Sequence, residues 1–210
     1  MHKFWLLITL AVLALLTISG CAAKQPKNID NICAIFDQRP AWYDYAKRSE
    51  RRWGTPIHVQ FAMMHQESSF RSSVRPPGRV KLLGFIPGPR RSSAFGYPQA
   101  KDEVWREYTQ DTGNHFGDRR SMKDALDFIG WYNNISHNRL GISKTNAEHL
   151  YLAYHEGHGG YQRRTYRQKE WLMRTARIVH QRAATYQRQL SSCEDRFRCR
   201  RFYQFWPFCS

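Results

Sequence analysis

Three short segments break their local pattern with residue types that do chemistry. The first is His65-Gln66-Glu67-Ser68-Ser69-Phe70, where Glu67 stands at the point at which an apolar helical pattern gives way to a Gly- and Pro-rich stretch. A carboxyl partly buried among aromatic side chains has a raised pKa and stays protonated near neutrality, as a general acid requires. A glutamate at an open helix end is merely solvated, and the segment alone does not separate the two. The second is Ser92-Ser93-Ala94-Phe95-Gly96-Tyr97-Pro98-Gln99-Ala100, small and polar residues around one amide just before a helix start. Such a segment either brings backbone close to a ligand while Gln99 offers a donor and an acceptor, or is a tight junction between loop and helix. The third is Ala153-Tyr154-His155-Glu156-Gly157-His158-Gly159-Gly160, a helix that runs into glycines. Its two histidines stand at i and i+3, one residue short of the H-E-x-x-H zinc signature, whose i and i+4 pair pinches a metal from one helix face. The expectation is therefore no metal and no cofactor, with the histidines lining a polar cleft.

The elements that must position these segments read as helices. Pro40 fits the first turn of a helix to about Trp53, stopped by Gly54. Pro56 opens a second, in which Ile57, Phe61, Met64 and Phe70 recur at helical intervals and bury one face, with Glu67 near its end. From Arg71 to Ser93 the pattern is broken by Pro76, Pro77, Gly78, Gly84, Pro87, Gly88 and Pro89, a long and basic loop of the kind that is usually functional. A helix follows from about Lys101 to Thr112. Ser121 with Asp124 caps another that runs through Trp131 and Tyr132 to near Gly141. Ser143 caps one that carries Leu150 and Tyr154, and a last long helix spans about Arg167 to Leu190. No strand shows convincing alternation, so the expected fold is all-α, a single globular domain with a long loop insertion and a disulfide-linked tail.

The ends of the chain carry a different message. Fourteen of the first 20 residues are hydrophobic, and Phe4 to Ile18 follows a short positive start, as in a secretory leader. Ile18-Ser19-Gly20-Cys21 resembles the bacterial lipobox, in which the cysteine thiol is acylated, against the alternative of an ordinary cleaved leader. Ala22 rather than Asp after Cys21 points to the outer membrane, facing the periplasm. The remaining cysteines, Cys33, Cys193, Cys199 and Cys209, are even in number and suit two disulfides in an oxidising compartment, with three connectivities open. Their spacing does not match zinc knuckles. The organisation is thus a leader over 1–20, an anchor and linker over 21–39, a globular domain over 40–190 and a Cys-rich tail over 191–210.

The whole chain has 210 residues and a formal charge of +16, from 33 Lys+Arg against 17 Asp+Glu. From Cys21 onward there are 22 Leu+Ile+Val but 28 Phe+Trp+Tyr, so the core must be built largely from rings. That excludes a Leu/Val-rich α/β enzyme and a disordered basic tail. Basicity with aromatics suggests nucleic acid, but export places the chain away from it. The natural polyanions in that compartment are peptidoglycan carboxylates and membrane phosphates, which the charge concentrates without conferring specificity.

Taken in order, Glu67-Ser68-Ser69-Phe70, Ala94-Phe95-Gly96-Tyr97-Pro98-Gln99 and Ala153-Tyr154-His155-Glu156-Gly157 resemble the E-S-x-F, G-L-M-Q and A-Y-N-x-G motifs of the lytic transglycosylase SLT domain, in the lysozyme-like superfamily. The resemblance covers about residues 41–184. It implies an α-helical domain that cleaves the bond between N-acetylmuramic acid and N-acetylglucosamine of peptidoglycan without water, leaving a 1,6-anhydro ring. Carried over by position, Glu67 is the sole catalytic acid and base. Ser68 orients sugar or carboxylate, Gln99 hydrogen-bonds the substrate near the cleavage site, Tyr154 supports the cleft floor and His155 takes the place of the usual substrate-contacting Asn. The implied partners are peptidoglycan strands and, through Cys21, the membrane, with the chain acting as a monomer.

Three departures from the family pattern matter. Tyr97-Pro98 replaces Leu-Met behind Gln99. His155 makes its substrate contact pH-sensitive. Glu156 is an extra acid, either solvated or able to activate water and turn the enzyme into a muramidase like goose-type lysozyme. The degenerate second and third motifs leave a further alternative, a catalytically silent peptidoglycan-binding lipoprotein. The loop over 71–93 is longer than the family's link and is expected to lid or extend the glycan groove.

Overall fold

A computed structural model describes residues 24–82, 86–90 and 92–198. The helix that carries the first motif, α3 (Ile57–Ser68), is buried on all sides over its first two turns. Ile57, Val59, Phe61, Ala62, Met63 and Met64 are all buried, so the helix is enclosed and does not bury one face only. It is surrounded by α2 (Pro40–Trp53), α5 (Met122–Leu140), α6 (Ala147–Gln162) and α7 (Glu170–Cys193). Gln60, the polar residue in its middle, is fully buried and spends its amide nitrogen on the carbonyls of Ala46 and Thr55.

Helix boundaries follow local chemistry. Pro40 occupies the first turn of α2, and Gly54 ends it in the left-handed region at φ 81°. The Ser121 hydroxyl caps α5 by accepting from the Asp124 N–H, and α4 (Asp102–Thr112) stops at Gly113. The cap of α6 is Asn146, whose side chain accepts from the His149 N–H, and not Ser143, which lies in the preceding turn. The glycines of the third segment do not dissolve α6. Gly157 alone leaves helical geometry, at φ 73° and ψ 159°, and the helix resumes to Gln162 before a 3-10 turn over Thr165–Gln168.

Helix α7 buries Leu172, Ala176, Val179, Ala183, Tyr186, Leu190 and Cys193, a stripe at alternating three- and four-residue steps, against α3 and α6. Its C-terminal half binds the N-terminal segment. Cys33 is bridged to Cys193, the Tyr186 hydroxyl donates to the Ile29 carbonyl, and the Gln189 side chain accepts from Ile32 N–H at 3.0 Å. The segment over 21–39, expected as a linker, therefore contains α1 (Ile32–Gln38), with Ile32, Ile35 and Phe36 fully buried. Likewise the start of the expected tail belongs to the core: in α8 (Asp195–Arg198), Phe197 packs on Phe36 and Tyr43. Leader, Cys21, Cys199 and Cys209 lie outside the described residues.

The core is aromatic, as the composition requires. One run of rings joins Trp105, Tyr108, Phe128, Trp131, Tyr132 and Tyr154, and another joins Trp42, Phe61, Phe70 and Tyr97. The all-α class holds, with one addition inside the long loop. Strands β1 (Arg79–Leu82) and β2 (Ile86–Arg90) pair antiparallel, Lys81 opposite Pro87 and Leu82 opposite Ile86. Pro87, Gly88 and Pro89 hid this strand from a reading by alternation. A two-stranded ribbon tolerates them because each strand has a free edge that needs no N–H donor. Among the described residues, no helix is long and apolar enough to cross a membrane.

Candidate active site

Glu67 sits in the last turn of the enclosed helix α3. Immediately beyond it, Ser69 and Phe70 both adopt positive φ, 50° and 60°, which non-glycine residues rarely do. The turn returns Phe70 to the core, fully buried against Trp42, Phe61 and His65. Burial of that ring offsets the backbone cost and holds the end of α3, with its carboxyl, at a fixed place.

Burial pushes the Glu67 carboxyl up from 4.5 to about 7, against the opposing hydrogen bond of the Tyr151 hydroxyl, which favours the charged form. No cationic side chain is among the causes. Tyr151 is 5% exposed on α6, and burial followed by the nearby Glu67 charge keeps its hydroxyl protonated. The environment thus holds a carboxyl able to give and retake a proton near neutrality.

The second segment reaches the site through its carbonyls. Tyr154 donates to the Pro98 carbonyl at 2.5 Å and packs edge-on against Phe128 and Tyr132, so it braces the second motif against the third. Tyr97 is buried against Trp42, which accounts for an aromatic ring where the family has Leu. Gln99 has φ 50° and spends its amide nitrogen on the carbonyls of Val74 and Gly96, at 2.9 and 2.7 Å. Only its carbonyl oxygen remains for a substrate.

Ser68 faces the core. It is 2% exposed, and its hydroxyl donates back to the Met64 carbonyl, so a contact between its side chain and a sugar is not possible in this conformation. His155 is exposed beside the site, with Nδ1 3.3 Å from Glu156 Oε1. His158 points elsewhere, stacked on Tyr132 and bonded to Ser136. Among the described residues, no group of three or more His, Cys, Asp or Glu side chains could hold a metal ion.

Glu156 is neither solvated nor free. Its side chain is 3% exposed and receives Lys169 Nζ at 2.7 Å, the Thr165 hydroxyl and His155. Burial raises its pKa, and the hydrogen bonds from Lys169, Thr165 and His155 outweigh that and hold the carboxyl below its ordinary value. A carboxylate so placed is a weak base with its oxygens already occupied.

Two residues of the site were missed by sequence reading. Tyr151 stands three residues before Tyr154, and that helical spacing is a signal which could have found it. Arg119 has no local signal. Its guanidinium donates to the carbonyls of Ser93 and Ala100 and pairs with Asp102 at 2.7 Å, and its own carbonyl accepts from the Tyr97 N–H. It thereby templates the second motif from the loop before α5. Gly96, at φ 77°, is required there because a Cβ would overlap the Arg119 backbone. A separate hollow of about 540 Å³ between α2 and α5, lined by Arg48, Arg51, Arg52 and Lys123 among others, includes none of these residues.

Residues 9–193 match the family model described as "Transglycosylase SLT domain". No curated protein and no solved structure matches the chain.

Proposed function

The chain belongs to the transglycosylase SLT domain family, and we propose that it is a lytic transglycosylase cleaving the β-1,4 bond between N-acetylmuramic acid and N-acetylglucosamine, with Glu67 as its one acid and base. The observation that carries this reading is the Glu67 carboxyl itself, raised to about 7 by burial and approached by the Tyr151 hydroxyl. Protonated Glu67 gives its proton to the glycosidic oxygen as the bond to C1 breaks. The carboxylate then takes the proton of the muramoyl C6 hydroxyl as that oxygen bonds to C1. The products are a 1,6-anhydro ring and a free N-acetylglucosamine 4-hydroxyl; the carboxyl is regenerated and no water is consumed. Two-carboxylate glycosidases need a second acid as nucleophile or water activator. The extra acid of the third motif, Glu156, is engaged by Lys169 and Thr165, which favours the lyase over the muramidase reading.

In this reading the Gln99 carbonyl accepts from the substrate, Tyr154 supports the cleft floor and His155 contacts the strand from the rim. The loop over 71–93 borders the groove, a placement supported by its foot, where the Val74 carbonyl holds both Gln99 and Gly96. The enzyme works as a monomer without metal or cofactor. It is anchored through Cys21 in the outer membrane and faces the periplasm, a location supported by the lipobox-like Ile18-Ser19-Gly20-Cys21 and by the Cys33–Cys193 bridge, which an oxidising compartment favours. Release of soluble fragments from murein sacculi tests the assignment: full-length protein releases them and Glu67→Gln does not. Equal release by both would remove Glu67 from this role. Sacculus binding with no release by the wild type would favour the silent binding protein.

A further inference from the structure

The face of α6 that meets Glu67 continues into residues the reaction does not use. Tyr151 and His155 are one helical turn apart, on the same side of α6, just before the kink at Gly157. Tyr151 meets Glu67, and His155 meets Trp171, with ring centroids 5.1 Å apart at 79°. Trp171 is 51% exposed, and among the described residues the other large apolar side chains left open are Phe116 and Ile178. Trp171 alone of these stands against a residue of the site. An isolated exposed apolar residue needs no explanation, but this one is held in place from two directions. Leu172, its neighbour in the first turn of α7, is fully buried. Lys169, just before that turn, is bonded to the buried Glu156, which also takes the His155 Nδ1. That carboxylate therefore orients the His155 ring and ties down the backbone just before Trp171, so the indole projects from a fixed point and packs edge-on against His155.

We infer that Trp171, edged by His155, is a sugar-stacking platform that binds a pyranose of the glycan strand beyond the residues undergoing cleavage. The ligand class follows from the chemistry. An exposed indole face covers the apolar C–H face of a hexopyranose, while His155 Nε2, free of the Glu156 contact, takes a ring hydroxyl. The row Glu67, Tyr151, His155, Trp171 gives the strand a direction across the cleft. This inference rests on the proposed cleavage of peptidoglycan at Glu67.

The test uses the full chain with purified glycan strands of graded length, comparing wild type, Trp171→Ala and Trp171→Phe. Removing the platform is expected to raise KM roughly three- to tenfold on long strands, as for a lost aromatic contact, with the loss in kcat/KM carried by KM. The defect shrinks on the shortest fragments, which do not reach Trp171, and Trp171→Phe recovers most of it. Wild-type KM in Trp171→Ala on long strands overturns the platform while leaving the cleavage assignment standing. The same holds for a loss that is equal at every strand length, which marks a packing role. A wild type that cleaves no strand overturns both.

Discussion

Lys169 Nζ lies 2.7 Å from Glu156 Oε1, closing an ion pair on a carboxylate that is 3% exposed. The pair joins α6, one residue before its kink at Gly157, to the residue that precedes α7, and it occupies the carboxylate that could otherwise compete with Glu67 in the proposed reaction. Glu67, held at about 7 by burial, exchanges protons near neutrality. Glu156, held low by its donors, serves as structure.

That division predicts opposite outcomes for two substitutions. Lys169→Met leaves Glu156 without its cation and should lower stability by roughly 1 kcal/mol, since the lysine is itself 41% exposed and Thr165 and His155 still bond the carboxylate, a fall in Tm of roughly 3 °C. Glu156→Gln keeps neutral partners for Thr165 and Lys169, costs less, and leaves the ratio of anhydro to reducing-end products as in the wild type. A changed ratio would show that Glu156 takes part in the reaction. Thermal melts and product analysis on the same preparations check both.

Glu67 predicts a stability effect of the opposite sign. Its folded value, about 7, lies above its ordinary 4.5, so below about pH 4.5 the carboxyl is neutral in both states and imposes nothing. As pH rises from about 4.5 to about 7 the unfolded chain releases this proton more readily than the folded one, and stability falls by up to roughly 3 kcal/mol, a loss complete above 7. Glu67→Gln removes that penalty. That variant should therefore melt above the wild type at pH 8, with the gap closing towards pH 4.5, and a gap independent of pH contradicts the raised value.

The same value sets the alkaline limb of activity. A general acid must be protonated in the free enzyme, so kcat/KM should decline as pH rises through about 7. The Tyr151 hydroxyl favours the charged carboxylate, so Tyr151→Phe should move this limb to higher pH. A shift to lower pH, or none, would show that Tyr151 does not address Glu67.

The bridge between Cys33 and Cys193 closes a loop with a sequence separation of 160 residues. By chain entropy such a link contributes up to roughly 5 kcal/mol. Replacing both cysteines by Ser should lower the urea midpoint accordingly and loosen α1 first, since Ile29, Ile32 and Cys33 are all tied to α7. An unchanged midpoint would show that the aromatic contacts of Phe36 suffice.

Much of this architecture was legible in the sequence because it rests on local chemistry. Pro40, Gly54, Gly113, Ser121 and Gly141 mark helix ends within a residue or two, and Glu67 stands where an apolar pattern meets a loop. What stayed hidden depends on distant partners. Ser68 looked open because its motif suggested it, yet its own side of the last turn of α3 faces the core and the hydroxyl turns back to Met64. Glu156 looked solvated because Lys169 lies thirteen residues away, past a kink and a 3-10 turn. Helix α1 read as linker because seven residues give little periodicity, although its Ile32, Ile35 and Phe36 fill the core. Arg119 braces a motif twenty residues before it with no sequence signature at all.

The most direct measurement is mass spectrometry of the fragments that the full-length protein and its Glu67→Gln variant release from murein sacculi. Fragments ending in 1,6-anhydro-N-acetylmuramic acid from the wild type, and none from the variant, are the predicted result. Fragments with reducing ends alone, or anhydro products that persist without the Glu67 carboxyl, would contradict a single glutamate acting as both acid and base.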